Sequence, residues 1–356
     1  MSMEELGIVH KRVEATLAAV MRFHLTKREE IPGVLQELAA AIPEGFITGS
    51  PFIHIQGFSS YTEGFAAEAG FPVTQLVERG PVRSRTVPAR EVLALMHQGS
   101  PETVRETKLK LYGFARQCTL ISDEYSREVY VAWPDPAGPI EAQFVIHNWN
   151  HLLAANLERV LGIAGREAVM QGTDALGIES ASAERFAWAK GAMQCLDSQA
   201  SEVQKYDIVS SCAHFFPAEL VEKLQRVYAE AIRNSAEPLA AVDAVLAFME
   251  TDPAWNELEH RRDGHVIYQT KKPADPEAFA NALNDDERRA AACFCPIIRT
   301  RLKDGMPITF CYCGAGWFRQ QWETVTGKPV AMMEVVRSVL KGDLICEFAT
   351  HLAEEL

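Results

Sequence analysis

Five cysteines lie close together near the C-terminal end of this 356-residue chain. They form two Cys-x-Cys pairs and one further thiol downstream: Cys293, Cys295, Cys311, Cys313 and Cys346. In a chain without secretory features, grouped thiols are typical of a metal-thiolate site. Residues two apart on a strand share a face, so each pair can present two sulfurs to one ion. Thiolate ligands suit zinc, with an iron-sulfur cluster as the alternative.

Two other interpretations of these cysteines stay open. Free cysteine is among the most buried residue types, so a reduced, thiol-rich core would give the same composition. The pairs would instead act as a redox switch if they oxidise to disulfides, which requires exposed thiols with low pKa values. The remaining cysteines, Cys118, Cys195 and Cys212, are isolated, as is typical of small buried residues.

The overall composition excludes several classes of partner. A net charge of -13 argues against a large nucleic-acid interface, because phosphate binding needs clustered Lys and Arg. The first residues include an acidic pair and no long apolar run, which argues against a secretory signal. Apolar runs elsewhere are too short to span a membrane. We therefore expect a cytoplasmic protein that binds neither nucleic acid nor membrane.

The pattern of apolar residues changes near residue 150 and predicts an α+β protein of two domains. Strand-like runs dominate the first part, interrupted by helical spacing at 29–41 and 102–118. The later part begins with helices and ends with strands, and the polar segment 260–265 is typical of a solvated turn. The predicted organisation is an N-terminal antiparallel-sheet domain (1–150), a connector helix and linker (151–180), and a helical plus antiparallel-sheet domain (181–356).

A strand near the end of the first domain carries a candidate ligand-binding carboxylate. Polar and apolar residues alternate from Arg127 onward, which places Glu128 and Tyr130 on one face and Trp133 on the other. A carboxylate beside a tyrosine can select a cationic ligand or act as a base in hydrolysis. The alternative is a solvated strand face at a sheet edge.

The run from Gly80 to Ser100, the helix after it and the strand Arg127-Glu-Val-Tyr-Val together resemble a GyrI-like (gyrase-inhibitor-like) effector-binding domain. Such domains also occur behind the DNA-binding part of AraC- and MerR-type regulators, and the resemblance covers roughly residues 10–148. It implies two ββα halves that enclose a small-molecule cleft. Some members of the wider family are hydrolases. The ligand-binding residues predicted from the strand pattern and this resemblance are Glu68, Glu128, Tyr130 and Trp133.

A second resemblance covers the segment from Cys311-Tyr-Cys-Gly-Ala-Gly-Trp to Cys346-Glu-Phe, which is similar to the end of a 4-vinyl reductase-type small-molecule-binding domain. It implies zinc held by Cys311, Glu334 and Cys346. Ser338 occupies the place of a third cysteine, so Cys313, Cys293 or Cys295 would complete the site. The C-terminal half also resembles an uncharacterised group of bacterial proteins and, distantly, thiazoline-carboxylate hydrolases. Pairing through its helices into a homodimer is a further implication.

These observations favour a small-molecule sensor or carrier with a structural metal-thiolate site. About 15 residues precede the first predicted strand, too few for a helix-turn-helix, so regulation would need a partner protein. Two alternatives remain. One is a hydrolase that uses the Glu128 cleft or a metal-bound water near Cys311. The other is a thiol redox switch.

Overall fold

The computed structural model describes residues 2–56, 65–120, 122–135, 137–213, 218–234 and 237–355. The chain divides into two compact units, Met1–Asn148 and Trp149–Leu356. Both contain helices and an antiparallel sheet, which confirms the predicted α+β class. In the part of the chain that is described, no helix is both long and apolar enough to cross a membrane.

The first unit is built on one eight-stranded antiparallel sheet. Its strands are β1 (Val9–Val13), β2 (Thr16–Leu25), β3 (Phe52–Gln56), β4 (Phe65–Pro72), β5 (Arg83–Val87), β6 (Arg90–His97), β7 (Ser122–Tyr130) and β8 (Ile140–Ile146). Its helices are α1 (Met3–Leu6), α2 (Ile31–Ala41) and α3 (Val104–Gln117). The spatial order of the strands is β1-β6-β8-β7-β3-β4-β2-β5. The sequence pattern missed β1 and β6.

Two halves of the same topology make up this sheet. The first half is β2-α2-β3-β4 and the second is β6-α3-β7-β8. Each half is therefore a β-α-β-β unit, which corrects the ββα arrangement implied by the resemblance. The halves join where β3 pairs with β7, and this junction places Ile53 opposite Glu128.

Amphipathic spacing explains how the two longer helices pack on the sheet. In α2 the buried residues are Ile31, Leu35 and Leu38, and the helix packs on β2 and β4. In α3 the buried stripe includes Val104 and Leu111, and this helix packs on β6 and β8. The same stripe contains a charged residue, Lys108. An unusual lysine thus lies against the sheet.

The second unit combines helices with a four-stranded antiparallel sheet of order β11-β12-β10-β9. Its helices are α4 (Trp149–Val169), α5 (Ser182–Gln199), α6 (Glu202–Ser210), α7 (Ala218–Asn234), α8 (Pro238–Thr251), α9 (Pro276–Asn281), α10 (Asp285–Ala292) and α11 (Tyr312–Thr326). Its strands are β9 (Leu258–Asp263), β10 (Val266–Lys271), β11 (Val330–Arg337) and β12 (Cys346–Leu352). Segment 260–265 is thus a β-hairpin that turns at Gly264 (φ 57°), and two strands precede the last helices.

The helix that the sequence predicted as a connector belongs to the core of the second unit. Leu153 and Leu157 of α4 are fully buried among residues of α5, α6 and the cysteine-containing segments. The helix is interrupted at Gly162, whose φ of 75° is incompatible with a continuous α-helix. A separate core lies between the sheet and the helices α7, α8 and α11.

Helix α11 contains Gly316 because another backbone passes next to it. A Cβ atom at Gly316 would lie 1.9 Å from the carbonyl oxygen of Ser210, the last residue of α6. Gly314 and Gly316 follow Cys313, at a place where the Cys-x-Cys pair was predicted to lie on a strand. They lie inside a helix instead, and Gly316 permits the close approach of α6 and α11.

We predict that Gly316→Ala destabilises the second unit by about 2 kcal/mol or more, since the added methyl group meets backbone that cannot move aside easily. Gly191→Ala is the matched control: Gly191 also lies in a helix, but no atom lies within 4 Å of its added Cβ. This control should keep or raise stability by up to about 1 kcal/mol. Urea unfolding followed by tryptophan fluorescence measures both, and equal midpoints for the two variants would contradict the packing argument.

Candidate functional site

Glu128 lies on β7 and is completely buried, at 0% exposure. Its side chain projects from the sheet face against which Lys108 of α3 packs, here called the α3 face. Ser126 and Tyr130 project from the same side because strand residues two apart share a face. The middle of the sheet therefore holds a carboxylate that has no contact with solvent.

Four donors surround the Glu128 carboxylate. Arg28 binds it with both guanidinium nitrogens, Nη1 to Oε1 at 2.9 Å and Nη2 to Oε2 at 2.5 Å. Lys108 forms an ion pair with Oε1, and its Nζ also donates to the hydroxyl of Ser126 at 3.0 Å. The Tyr130 hydroxyl donates to Oε2 at 3.1 Å. A bidentate arginine and a lysine together provide strong charge-assisted bonds.

The electrostatics of this cluster fix the protonation state of the carboxyl group. Burial alone would raise the pKa of Glu128, but the charges and hydrogen bonds of Lys108 and Arg28 outweigh burial and lower it to about 2. Glu128 is therefore ionised at neutral pH. With one anion and two cations, the buried cluster carries a formal charge of +1.

The other two residues predicted for this site, Tyr130 and Trp133, have different surroundings. Tyr130 is buried and binds the carboxylate directly. Strand β7 ends at Tyr130, so the alternation that placed Trp133 on the opposite face does not extend that far. The Trp133 ring stands edge-on to the Phe71 ring, with 6.0 Å between the ring centroids. The registers of β4 with β3 and of β3 with β7 place Phe71 on the α3 face.

Glu68 does not share a site with Glu128, contrary to the expectation from the resemblance. In the register Glu68 pairs with His54, and His54 pairs with Arg127, the neighbour of Glu128. Glu68 therefore projects from the face opposite the α3 face. There it forms an ion pair with Arg85 and lies 3.5 Å from Nδ1 of His54, whose pKa is lowered by burial. Burial raises the pKa of Glu68, but hydrogen bonds from His54 and Arg85 produce a net lowering.

Arg28 and Lys108 were not identified from the sequence. Lys108 could have been found, because it occupies a core position of α3, four residues after Val104 and three before Leu111. Arg28 begins the short 3-10 turn Arg28–Glu30 and has no periodic pattern around it. Its Nε also donates to the carbonyl of Pro101 at 3.1 Å, which links it to the turn before α3.

The five clustered cysteines lie at the ends of elements rather than on paired strands. Cys293 follows α10, Cys295 lies in the next loop, Cys311 ends the 3-10 turn Ile308–Cys311, and Cys313 lies in the first turn of α11. Only Cys346 begins a strand. The prediction that strand alternation aligns each Cys-x-Cys pair was therefore wrong, because α10 ends at the first pair and α11 begins at the second.

Lys271 lies among these cysteines and was also missed. It ends β10 and pairs with Cys346 of β12 in the register. Its Nζ lies over three aromatic rings, at 4.7 Å from Trp317, 5.0 Å from Phe294 and 5.3 Å from Phe318. Burial lowers the pKa of Lys271. Its position could have been found from the sequence, because Lys271 lies two residues after the buried Gln269 and therefore on the same face of β10.

Burial raises the pKa of every thiol in the cluster. The pKa reaches about 12 for both Cys311 and Cys313, and burial also raises the pKa of Cys293, Cys295 and Cys346. Cys311 Sγ lies 3.4 Å from the Ser338 hydroxyl, and Ser338 is fully buried. With pKa values raised in this way, the thiols are protonated at physiological pH, which suits a reduced core and argues against the low-pKa thiols of a redox switch.

The donor set does not fit the predicted zinc site. Within the described ranges, no group of three or more His, Cys, Asp or Glu side chains is arranged to hold a metal ion. Glu334 projects from the sheet face away from Cys346, is 57% exposed at its side chain, and lies 3.7 Å from His351. It therefore cannot join the cysteines without a change in strand register.

No protein-family model matches this chain, and no curated protein matches it. Among solved structures, the EcmrR C-terminal domain is similar at 20% identity, over 39% of this chain and 96% of that chain, with a TM-score of 0.34. SAV2435 bound to tetraphenylphosphonium gives 12% identity, 40% and 96% coverage and a TM-score of 0.29. A hydrolase encoded by lin2189 from Listeria innocua is similar at 11% identity, over 39% of this chain and 91% of that chain, with a TM-score of 0.31. At these identities and scores, none of them assigns a ligand or an activity.

The lowered pKa of Glu128 predicts a specific acid sensitivity. Its ionised form stabilises the fold at any pH above about 4.5, its ordinary value, and this stabilisation is lost as the pH falls toward 2. The full effect is on the order of 3 kcal/mol. We expect Glu128→Gln to flatten the dependence of unfolding free energy on pH between 5 and 3, while Glu37→Gln, at an exposed position, leaves it unchanged. Equal slopes for all three proteins in urea titrations would show that Glu128 is not ion-paired.

The raised thiol pKa values predict slow alkylation of the native protein. At pH 7.5 we expect Cys311 and Cys313 to react with iodoacetamide about a hundredfold or more slowly than after denaturation, since few thiolates form. Peptide mass spectrometry reports each site, and elemental analysis of protein purified without a metal-chelating tag provides the control. Near-stoichiometric zinc, together with slow alkylation that becomes fast when a chelator is added, would contradict the description of neutral thiols. It would support the predicted metal site instead.

Proposed function

We propose that the first unit is a receptor for a small organic cation, which replaces Arg28 as the partner of Glu128. One observation carries this proposal: a completely buried carboxylate takes part of its countercharge from a short surface turn rather than from a core element. A molecule that displaces Arg28 removes two charge-assisted hydrogen bonds from a buried carboxylate, and a positively charged molecule compensates that loss best.

The two cations that neutralise Glu128 differ in how firmly the fold holds them. Lys108 extends from the buried stripe of a 14-residue helix, and its side chain is only 3% exposed. Arg28 belongs to a three-residue turn, its side chain is 8% exposed, and its Nε also donates to the Pro101 carbonyl. Exchange of Arg28 for a ligand that carries one positive charge leaves the formal charge of the cluster at +1. The turn can therefore open without leaving a buried charge unpaired.

Aromatic residues on the α3 face favour a cation with an apolar body. Tyr130 is buried beside Glu128, and the Trp133 ring packs edge-on against Phe71 of β4. Aromatic rings stabilise adjacent cations and bury apolar surface at the same time. Tyr130 and Trp133 are thus retained as ligand-binding residues, whereas Glu68 is excluded because it faces the other side of the sheet.

Hydrolysis with Glu128 as the general base is not favoured. A general base works best when its pKa lies near the operating pH, and the pKa of Glu128 is lowered to about 2. Arg28 and Lys108 also occupy its oxygens. Sensing, with a partner protein supplying the regulatory output, is therefore the role proposed for this unit.

The exchange is tested with tetraphenylphosphonium as the ligand and tetraphenylborate as a competitor of the same shape and opposite charge. We expect micromolar binding of the cation by calorimetry and no displacement by the borate. Arg28→Met should raise the affinity about tenfold, because the competing internal cation is gone, and Glu128→Gln should lower it by at least about tenfold. Circular dichroism confirms that each variant is folded.

Arg105→Met is the matched control, since Arg105 is an exposed arginine of α3. Its affinity for tetraphenylphosphonium should equal that of the unmodified protein. Weaker binding by Arg28→Met would overturn the exchange, because it would mean that Arg28 supports the ligand instead of competing with it. Unchanged binding by folded Glu128→Gln would remove Glu128 from the site and end the proposal.

A further inference from the structure

A second, unrelated cleft lies in the second unit. It has a volume of about 540 Å³ and lies between α10, the segment 299–304 and the 3-10 turn Val339–Lys341. Clefts of this size are typical of small-molecule sites. It contains neither a cysteine nor any residue of the proposed cation site.

The charge of this cleft is opposite to that of the chain. Five cationic and two acidic side chains line it: Arg289, Arg299, Arg301, Lys303 and Lys341, with Asp286 and Asp304. Five cations against two carboxylates leave a formal charge of +3, whereas the whole chain carries -13. A local excess of positive charge in an acidic protein concentrates anions at that place.

The two carboxylates are already used by three of the cations. Asp286 pairs with Arg289 and Lys303, and Asp304 pairs with Arg301 at 3.2 Å. These pairs are partly exposed and contribute little energy by themselves. They do, however, leave no acidic group of the cleft for the remaining two cations.

Arg299 and Lys341 are held by backbone carbonyls alone. Arg299 donates Nε to the carbonyl of Cys293 at 2.7 Å, and Lys341 donates Nζ to the carbonyl of Val335 at 2.5 Å. In the described part of the chain, neither side chain forms an ion pair with a carboxylate. Carbonyl bonds orient the two groups but leave their formal charges uncompensated.

We propose that this cleft binds a small organic anion, with a carboxylate or phosphate group at Arg299 and Lys341. The wall next to these cations is apolar, because Leu302, Val339 and Leu340 contribute to it and Val339 is buried. An apolar body carried by the anionic group would therefore pack against this wall. The guanidinium of Arg299 offers the planar fork that recognises two oxygens of one group.

The test uses the full chain and three probes: 1-naphthoate, the neutral 1-naphthylmethanol of the same shape, and inorganic phosphate. We expect calorimetry to detect naphthoate binding that weakens as salt is raised, with no detectable binding of the alcohol. The double variant Arg299→Gln, Lys341→Gln should weaken naphthoate binding at least about tenfold. Lys328→Gln, at an exposed position outside the cleft, should not change it.

Arg299→Lys keeps the charge but loses the planar fork, so intermediate affinity is expected if both charge and geometry contribute. Urea midpoints within error of the unmodified protein establish that a loss of binding is not a loss of folding. Equal binding of naphthoate and naphthylmethanol would overturn the anionic assignment. Phosphate binding as tight as that of naphthoate would show that the apolar wall adds nothing to the affinity. Unchanged naphthoate binding by the folded double variant would show that the anion does not bind at Arg299 and Lys341.

Discussion

The core of the first unit depends on the ion cluster around Glu128. A carboxylate with no solvent contact is tolerated only when cations and hydrogen bonds compensate its desolvation, and here four donors do so. The compensation fixes the carboxyl group in its ionised state. It also constrains the position of α3, which packs on β6 and β8, because Lys108 must reach from that helix to both Glu128 and Ser126 of β7.

The charged groups and the thiols of the second unit are arranged differently from those of the first. Its buried cysteines stay neutral, and the lysine among them is surrounded by three aromatic faces instead of carboxylates. Three of its arginines and two of its lysines line a cleft that no cysteine lines. The thiol-rich segment thus contributes to packing, while the groups able to attract a charged molecule lie at a separate cleft. Close approach of α6 and α11 at Gly316 gives this packing its shape.

Apolar periodicity predicted the fold class and the positions of α2 and α3, because one-sided burial leaves a direct trace in the sequence. Strand alternation likewise identified Glu128 and Tyr130. Whether Glu68 shares their face depends on the registers of β4 with β3 and of β3 with β7. The second of these registers joins Ile53 to Glu128, which are distant in the chain, and leaves no local signal. The Cys-x-Cys pairs were misplaced because nothing in their local sequence distinguishes a strand from the end of α10 or the start of α11. The zinc site and both family resemblances stay predictions.

The order of strands in the first unit has a consequence for how the chain reaches this state. Strand β1 pairs with β6, and the two halves meet only when β3 finds β7, so many of the decisive contacts join distant parts of the chain. Arg28 belongs to the first half, whereas Lys108 and Glu128 belong to the second. Neither half alone contains both cations and the carboxylate, and each would expose a sheet edge. Loop-closure entropy must be overcome before these contacts form, so the halves acquire stability together and slowly, as one cooperative piece.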